Sequence, residues 1–156
     1  MDNYPLVSIV TPAYNQANYL RETLDSVLAQ DYPNIEYIVL NDGSTDETST
    51  ILKRYRGKIY YENQENSGQA STINRGLSLS KGQFIGYLSS DDRLKKNAIS
   101  ELVKVLTSRP EIIVAYCDFD LIDTNSNFIR RIKTEDYSKI RLTQDLICQP
   151  GPGALF

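Results

Sequence analysis

The chain has 156 residues, 40% of them apolar and 24% charged, with a formal net charge of −3. That is the size and balance of one globular domain, long enough to bury roughly 70% of its unfolded surface. The charge leaves no basic field for nucleic acid or an anionic membrane, and Arg130-Arg131-Ile132-Lys133 reads as a solvated face. There is no histidine, which excludes Ser-His-Asp and Cys-His catalysis and His-ligated zinc within the chain.

Met1-Asp2-Asn3-Tyr4-Pro5 is too acidic and polar for a signal peptide. The longest apolar runs, such as Ile112 to Cys117, reach about six residues against the ~20 that span a bilayer, so no membrane-spanning segment is expected. Cys117 and Cys148 lack metal-ligand spacing and read as buried free thiols in a reducing cytosol.

In chain order, Leu6 to Thr11 is β-branched and apolar and reads as a buried strand stopped by Pro12. Asn18 then caps a helix from Tyr19 to Ala29, with Leu20, Leu24, Val27 and Leu28 on one face. Ile35 to Leu40 is a second strand, ending in Asn41-Asp42-Gly43-Ser44-Thr45-Asp46. Ser44 and Glu47 make a capping box for a helix with Ile51, Leu52 and Tyr55 inward, stopped by Gly57. A short third strand covers Lys58 to Glu62, and a third helix Gln69 to Ser80 buries Ala70, Ile73 and Leu77 before Gly82.

Phe84 to Leu88 is the fourth strand and delivers Ser89-Ser90-Asp91-Asp92 to a loop. A fourth helix from Asn97 buries Ile99, Leu102, Val103 and Leu106 and ends before Pro110. Ile112 to Cys117 reads as a fifth strand, Leu121 to Asp123 and Phe128 to Lys133 as a further pair, and Leu142 to Ile147 as a weak last helix. The βαβαβαβαβ order with near-continuous apolar strands predicts an α/β fold, a mostly parallel sheet covered by helices on both faces, with a small antiparallel addition near the C-terminus.

Ligands of such sheets sit at the carboxyl ends of the strands, near a topological switch point. Tyr14-Asn15, Asp42 and Asp91-Asp92 all lie just past strand ends. Asp91 and Asp92 are candidate ligands for a divalent cation shared with phosphate oxygens. Alone the pair reads first as a solvated turn before the next helix; its convergence with the other two motifs reverses that reading. Asp42 is placed to accept a ring N–H of a base and Tyr14 to offer an aromatic face, with turn chemistry and core packing as their plainer readings. Gly68 and Ser71, at a helix start, are candidates to set backbone N–H groups near phosphate. No Gly-x-Gly-x-x-Gly or Gly-x-x-x-x-Gly-Lys-Ser/Thr pattern is present, which argues against a dinucleotide dehydrogenase or a P-loop enzyme.

Ser8-Ile-Val-Thr-Pro-Ala-Tyr-Asn15, Asn41-Asp-Gly-Ser-Thr-Asp46, Asn66-Ser-Gly68, Ile73-Asn-Arg-Gly76, Lys81-Gly82 and Leu88-Ser-Ser-Asp-Asp92 together resemble the inverting family-2 glycosyltransferases of Rossmann-like GT-A fold. The resemblance covers nearly the whole chain. It implies that Asp42 contacts the nucleotide base and that Pro12, Tyr14 and Asn15 line the nucleoside pocket. Gly68, Ser71, Asn74 and Asp91 join the donor site, and Asp92, assisted by Asp91, binds Mn2+ or Mg2+. The implied donor is a nucleoside-diphosphate sugar, with UDP the expected nucleotide, and the acceptor is a saccharide or other hydroxyl compound in cell-surface or extracellular polysaccharide synthesis. The parent protein would then work in the cytoplasm, at the inner face of the cell membrane.

Two residues depart from the family pattern. Asn41 stands for the first Asp of the second-strand motif, and Ser90 for the first acid of the Asp-x-Asp motif. The resemblance sets the catalytic base, an Asp or Glu, beyond Phe156. Residues 1–156 are therefore expected to be a donor-binding domain cut before its acceptor half, binding nucleoside diphosphate but transferring sugar slowly or not at all. A non-catalytic nucleotide-binding module is the alternative from another class. A nucleotidyltransferase would need a Gly-rich loop with a following basic residue where Pro12-Ala-Tyr-Asn15 stands.

Overall fold

The computed structural model describes residues 4–136 and 153–156. Strands β1 (Val7–Ala13), β2 (Ile35–Asp42), β3 (Tyr60–Gln64) and β4 (Phe84–Tyr87) form one parallel sheet in the order β3-β2-β1-β4. Helices α1 (Leu20–Leu28), α2 (Thr48–Lys53) and α3 (Gln69–Leu79) are its crossovers, and α4 (Ala98–Ser108) follows β4. Strands β5 (Phe119–Ile122) and β6 (Phe128–Ile132) pair antiparallel as a separate ribbon. The expected α/β architecture with its small antiparallel addition is the one observed.

Every residue of β1 is buried, because β2 and β4 hydrogen-bond both its edges and helices cover both its faces. Side chains alternate along a strand. Val7, Ile9, Tyr37 and Val39 therefore share one core with Leu20, Leu24 and Val27 of α1, Leu52 of α2, and Ile99 and Leu102 of α4. Val10 points to the opposite face, where α3 packs on β1 and β2.

That packing corrects the inward face expected for α3. Thr72 and Gly76 are its buried residues, Ile73 and Leu77 are half-buried and Ala70 is exposed. A Cβ on Gly76 would lie 2.2 Å from Val10 Cγ1, so the helix sits close only because that side chain is missing. Apolar periodicity could not find a contact face made by an absent side chain. At the other end of β1, a Cβ on Gly82 would fall 2.5 Å from Ser8 N. There the Gly82 N–H donates to Ser8 Oγ at 2.8 Å and the Lys81 N–H to Glu36 Oε2 at 2.9 Å, tying the α3–β4 turn to β1 and β2.

Other expectations shift. β3 runs two residues later than read, and α1 starts after Tyr19 with no side-chain cap from Asn18. The Ser44–Glu47 capping box does not form, for α2 begins only at Thr48. Ile112 to Cys117 is not a parallel strand: only Ala115 pairs, antiparallel to Leu155, while Ile113 is 81% exposed. An apolar run makes a buried strand only if both faces are covered, and here one is not. Leu155 bridges Gly86 on its other side, extending the sheet past β4. Cys117 is a free thiol as expected, but exposed rather than buried. Cys148 and the helix expected over Leu142 to Ile147 lie outside the described residues. Among the described residues no helix is long and apolar enough to cross a membrane.

Replacing Gly76 by Ala pits about 1 kcal/mol of helix propensity gained against an overpacking cost of about 1–3 kcal/mol. With Val10 at 2.2 Å the clash wins, and Gly76→Ala should lower the urea midpoint by the equivalent of about 1–2 kcal/mol. In a Val10→Ala background the same change should become neutral or stabilising. Additive effects of the two substitutions would disprove the contact.

Candidate active site

Strand order reverses between β1 and β4: from β1 the chain winds outward through β2 and β3, then returns to the other side of β1. The crevice outside the carboxyl ends of β1 and β4 is thus the switch point where such sheets take ligands. Tyr14 and Asn15 leave β1 on one side of it, and Ser89 to Asp92 leave β4 on the other. The ends of β2 and β3, Asp42 and Gln64, lie beside them in register.

The loop after β1 is clamped to the loop after β2. Asn15 adopts φ 53°, a left-handed conformation that Asn tolerates better than most residues. Its N–H donates to Ser44 Oγ at 3.0 Å, and its Oδ1 accepts from the Thr45 N–H at 2.8 Å. Asp46 takes the place of the missing capping box: Oδ1 accepts from the Thr48 N–H at 2.9 Å, Oδ2 from the Ala17 N–H at 3.0 Å. Burial would raise the Asp46 carboxyl, but these bonds and one from the Thr48 hydroxyl outweigh it and lower its pKa. Asn15 is therefore spent on holding the loop, whereas the half-exposed Tyr14 ring keeps a face open. Pro12 is buried, in register with Leu40.

Asp42 is only 3% exposed, and its carboxylate organises the loop between β3 and α3. Oδ1 accepts from Gln64 Nε2 and the Ser67 N–H, both at 2.8 Å, and from Ser67 Oγ at 3.2 Å; Oδ2 accepts from the Gly68 N–H at 2.9 Å. Burial alone would raise this carboxyl, but the hydrogen bonds from Ser67, Gln64 and Thr72 carry it below its usual value. The Gly68 N–H, read from sequence as a phosphate donor, is thus committed to Asp42. Gly68 itself, at φ 85°, precedes the exposed Ser71 and Asn74 of α3. Gln69 Nε2 donates to Tyr87 Oη at 2.8 Å, which fastens the start of α3 to the end of β4.

Both departures from the family pattern are buried, Asn41 at 3% and Ser90 at 6% exposure. Asn41 Nδ2 donates to Asn63 Oδ1 at 2.7 Å, a bond an ionised Asp could not make. The Ser90 carbonyl accepts from Thr23 Oγ1 at 2.9 Å. A carboxylate in either place would be a buried charge with no Lys or Arg hydrogen-bonded to that residue among the described residues.

Asp91 is exposed and Asp92 half-buried. Burial, and then the charge of Asp91, raise the Asp92 carboxyl, a repulsion that a cation between them would relieve. Among the described residues no group of three or more acids, Cys or His forms a closed metal cage. Two adjacent carboxylates instead fit a divalent ion whose remaining ligands are waters and phosphate oxygens. The pair borders a cleft of about 650 Å³ walled by Tyr19 just before α1, Glu22 of α1, Glu101 of α4, and Phe119 and Leu121 of β5. Pro12, Tyr14, Asn15, Asp42, Gly68, Ser71 and Asn74 lie outside its lining. The acid pair therefore stands between the crest of loops over β1, β2 and α3 and a deeper cleft under the β5–β6 ribbon.

Sequence reasoning overlooked Gln64, Ser67 and Thr72 around Asp42, and Asp46 at the start of α2. Asp46 carried a local signal, an Asp two residues before the first helical residue. Gln64 carried none, since its partners are set by the pairing of β3 with β2.

A carboxyl with a lowered folded pKa stabilises above its unfolded value, and that contribution fades as pH falls through the folded value. Hydrogen exchange at the Ser67 and Gly68 amides should therefore stay protected from pH 7 down to the ordinary Asp value of 3.8 and open only below it. Asp42→Asn should open both amides already at pH 7. Loss of protection well above 3.8 in the native chain would contradict this account.

A family model described as Glycosyl transferase family 2 matches residues 8–155. The chain is 45% identical over 140 residues to an uncharacterized glycosyltransferase of Rickettsia prowazekii, covering 88% of this chain but 44% of that protein. Among solved structures, S. aureus TarS in complex with UDP-GlcNAc matches at 29% identity and TM-score 0.66, over 72% of this chain and 34% of its own. The mannosyltransferase PcManGT of Pyrobaculum calidifontis, in complex with GDP-Man and Mn2+, matches at 26% identity and TM-score 0.66, over 74% of this chain and 36% of its own. The chain thus spans less than half the length of these relatives. With the strand order, the loop clamps and the acid pair in place, the matches over nearly all its residues make this chain a member of glycosyl transferase family 2, with the GT-A fold.

Proposed function

We propose that the protein is the donor-binding part of a metal-dependent glycosyltransferase that moves a sugar from a nucleoside diphosphate to an acceptor hydroxyl with inversion. The observation that carries this reading is the meeting, at one switch point, of the Asp91-Asp92 pair with the loop crest that holds Tyr14 and the Asp42 carboxylate. The nucleoside would lie on the crest, its base against the Tyr14 ring and Asp42, with Pro12 and Asn15 shaping the loop beneath. Ser71 and Asn74 on the exposed side of α3, with Gly68 before them, would border the ribose and phosphates.

Asp92, with Asp91 beside it, would hold Mn2+ or Mg2+, which when bound neutralises charge on the leaving diphosphate. The chain's own part is to fix the diphosphate between strand ends, so that the anomeric carbon projects toward the cleft beyond the acid pair. A base deprotonating the acceptor there would give in-line attack and inversion. Saccharide acceptors of cell-surface polysaccharide are the class that the family resemblance supports.

Calorimetric titration with UDP, with and without Mn2+, tests this directly. Binding should need the metal, and Asp92→Ala should weaken it at least tenfold, about 1.4 kcal/mol, without moving the melting temperature. UDP binding that ignores both metal and Asp92→Ala would favour a non-catalytic nucleotide-binding module instead.

A further inference from the structure

We propose that Gln64 makes Asp42 a single-site acceptor, and so selects a base with one ring N–H, the imide of uracil or thymine, over guanine. The inference rests on the donor-site reading above and names the residue that sets its base preference.

An ionised carboxylate offers about four acceptor positions, two on each oxygen. On Asp42, Oδ1 is filled by Gln64 Nε2 and the Ser67 N–H at 2.8 Å, with Ser67 Oγ at 3.2 Å beside them, and Oδ2 holds the Gly68 N–H at 2.9 Å. One position on Oδ2 remains. The Watson–Crick edge of guanine presents two adjacent donors, the ring N–H and the amino group, and pairs best with both oxygens of a carboxylate at once. An imide presents one N–H flanked by two carbonyls. It needs one open oxygen, and it needs the other oxygen masked, because a bare second oxygen would face one of those carbonyls. Asp42 has that asymmetry before any ligand arrives.

Of the side chains that donate to the Asp42 carboxylate, Gln64 comes closer than Ser67. Its Nε2 lies 2.8 Å from Asp42 Oδ1, 2.9 Å from Ser67 Oγ and 3.0 Å from Thr72 Oγ1. Its Oε1 is buried with no hydrogen-bond partner. Turning the amide over would set Oε1 against the carboxylate, so the side chain keeps its donor end on Asp42 and leaves its acceptor end unmet. A residue serving only to fill space would not need to leave a buried oxygen unpaired. The fold does not itself make this choice, since the two similar structures were solved with UDP-GlcNAc and with GDP-Man.

The test is calorimetric titration of the protein with UDP and with GDP, each in the presence of Mn2+. The native chain should bind UDP at least tenfold more tightly than GDP. Gln64→Leu combined with Ser67→Ala, which keeps Ser67 Oγ at 3.2 Å from taking the vacated place, reopens a position on Oδ1 and should reduce that ratio about tenfold, the scale of one hydrogen-bonded discrimination at a base edge. If that double variant does not fold, Gln64→Asn with Ser67→Ala, the Asn too short to reach Asp42 in the same way, should lower the ratio in the same direction. Equal weakening of UDP and GDP by the variant would mean that Gln64 merely supports the loop, and would overturn the inference while leaving the donor site intact. Native preference for GDP would overturn it equally. Binding of neither nucleotide would bring down the donor-site reading and this inference together.

Discussion

The structure depends on β1 being closed on all sides. Its seven residues are buried, its two edges are paired in parallel with β2 and β4, and its two faces carry α3 on one side and the large core on the other. A strand so enclosed must be apolar or have its polar groups bonded, as Ser8 and Thr11 do, and must have close neighbours that give way, which is why glycine stands opposite Val10 in α3 and opposite Ser8 at Gly82. Flanking β1 by β2 and β4 also creates the order reversal. The crevice for a ligand follows from the same constraint that builds the core.

Around that crevice, the loops are ordered by each other. Neither α1, α2 nor α3 has a side-chain cap from its own N-cap residue. Carboxylates and amides reach across from neighbouring loops: Asp46 to the loop after β1, Asn15 to the loop after β2, Asp42 to the loop after β3. Each is an acceptor satisfied by backbone N–H groups; Asp42 is buried, while Asn15 and Asp46 do the same work at the exposed surface. The resulting crest is tied loop to loop, and a site held this way has its acceptor positions assigned in advance. That property is the ground on which a base preference set by a single amide, Gln64, is proposed.

Much of this was legible in the residues. The strands at Val7, Ile35 and Phe84 announced themselves by continuous apolar, β-branched runs, and α4 by the spacing of Ile99, Leu102, Val103 and Leu106, all of which are buried. The three motif ends, Tyr14-Asn15, Asp42 and Asp91-Asp92, do meet at one edge of the sheet because parallel strands bring all their carboxyl ends to one side. The misreadings share a cause. The run Ile112 to Cys117, the Ser44–Glu47 box and the inward face of α3 are local patterns, but each is decided by a partner distant in sequence: Leu155, Asn15 and Val10.

The sequence by itself determined the parallel α/β class, the family motifs and the identities of the acids, because periodicity and strand-end chemistry are local properties. Only the tertiary structure decided what those acids do with their lone pairs. Asp42 and Asp46 had to find their donors across about two dozen residues or more of chain, and hydrogen-bond capacity is settled by which groups meet within ~3 Å. The residue that completes Asp42, Gln64, is therefore ordinary in the sequence and decisive in the fold.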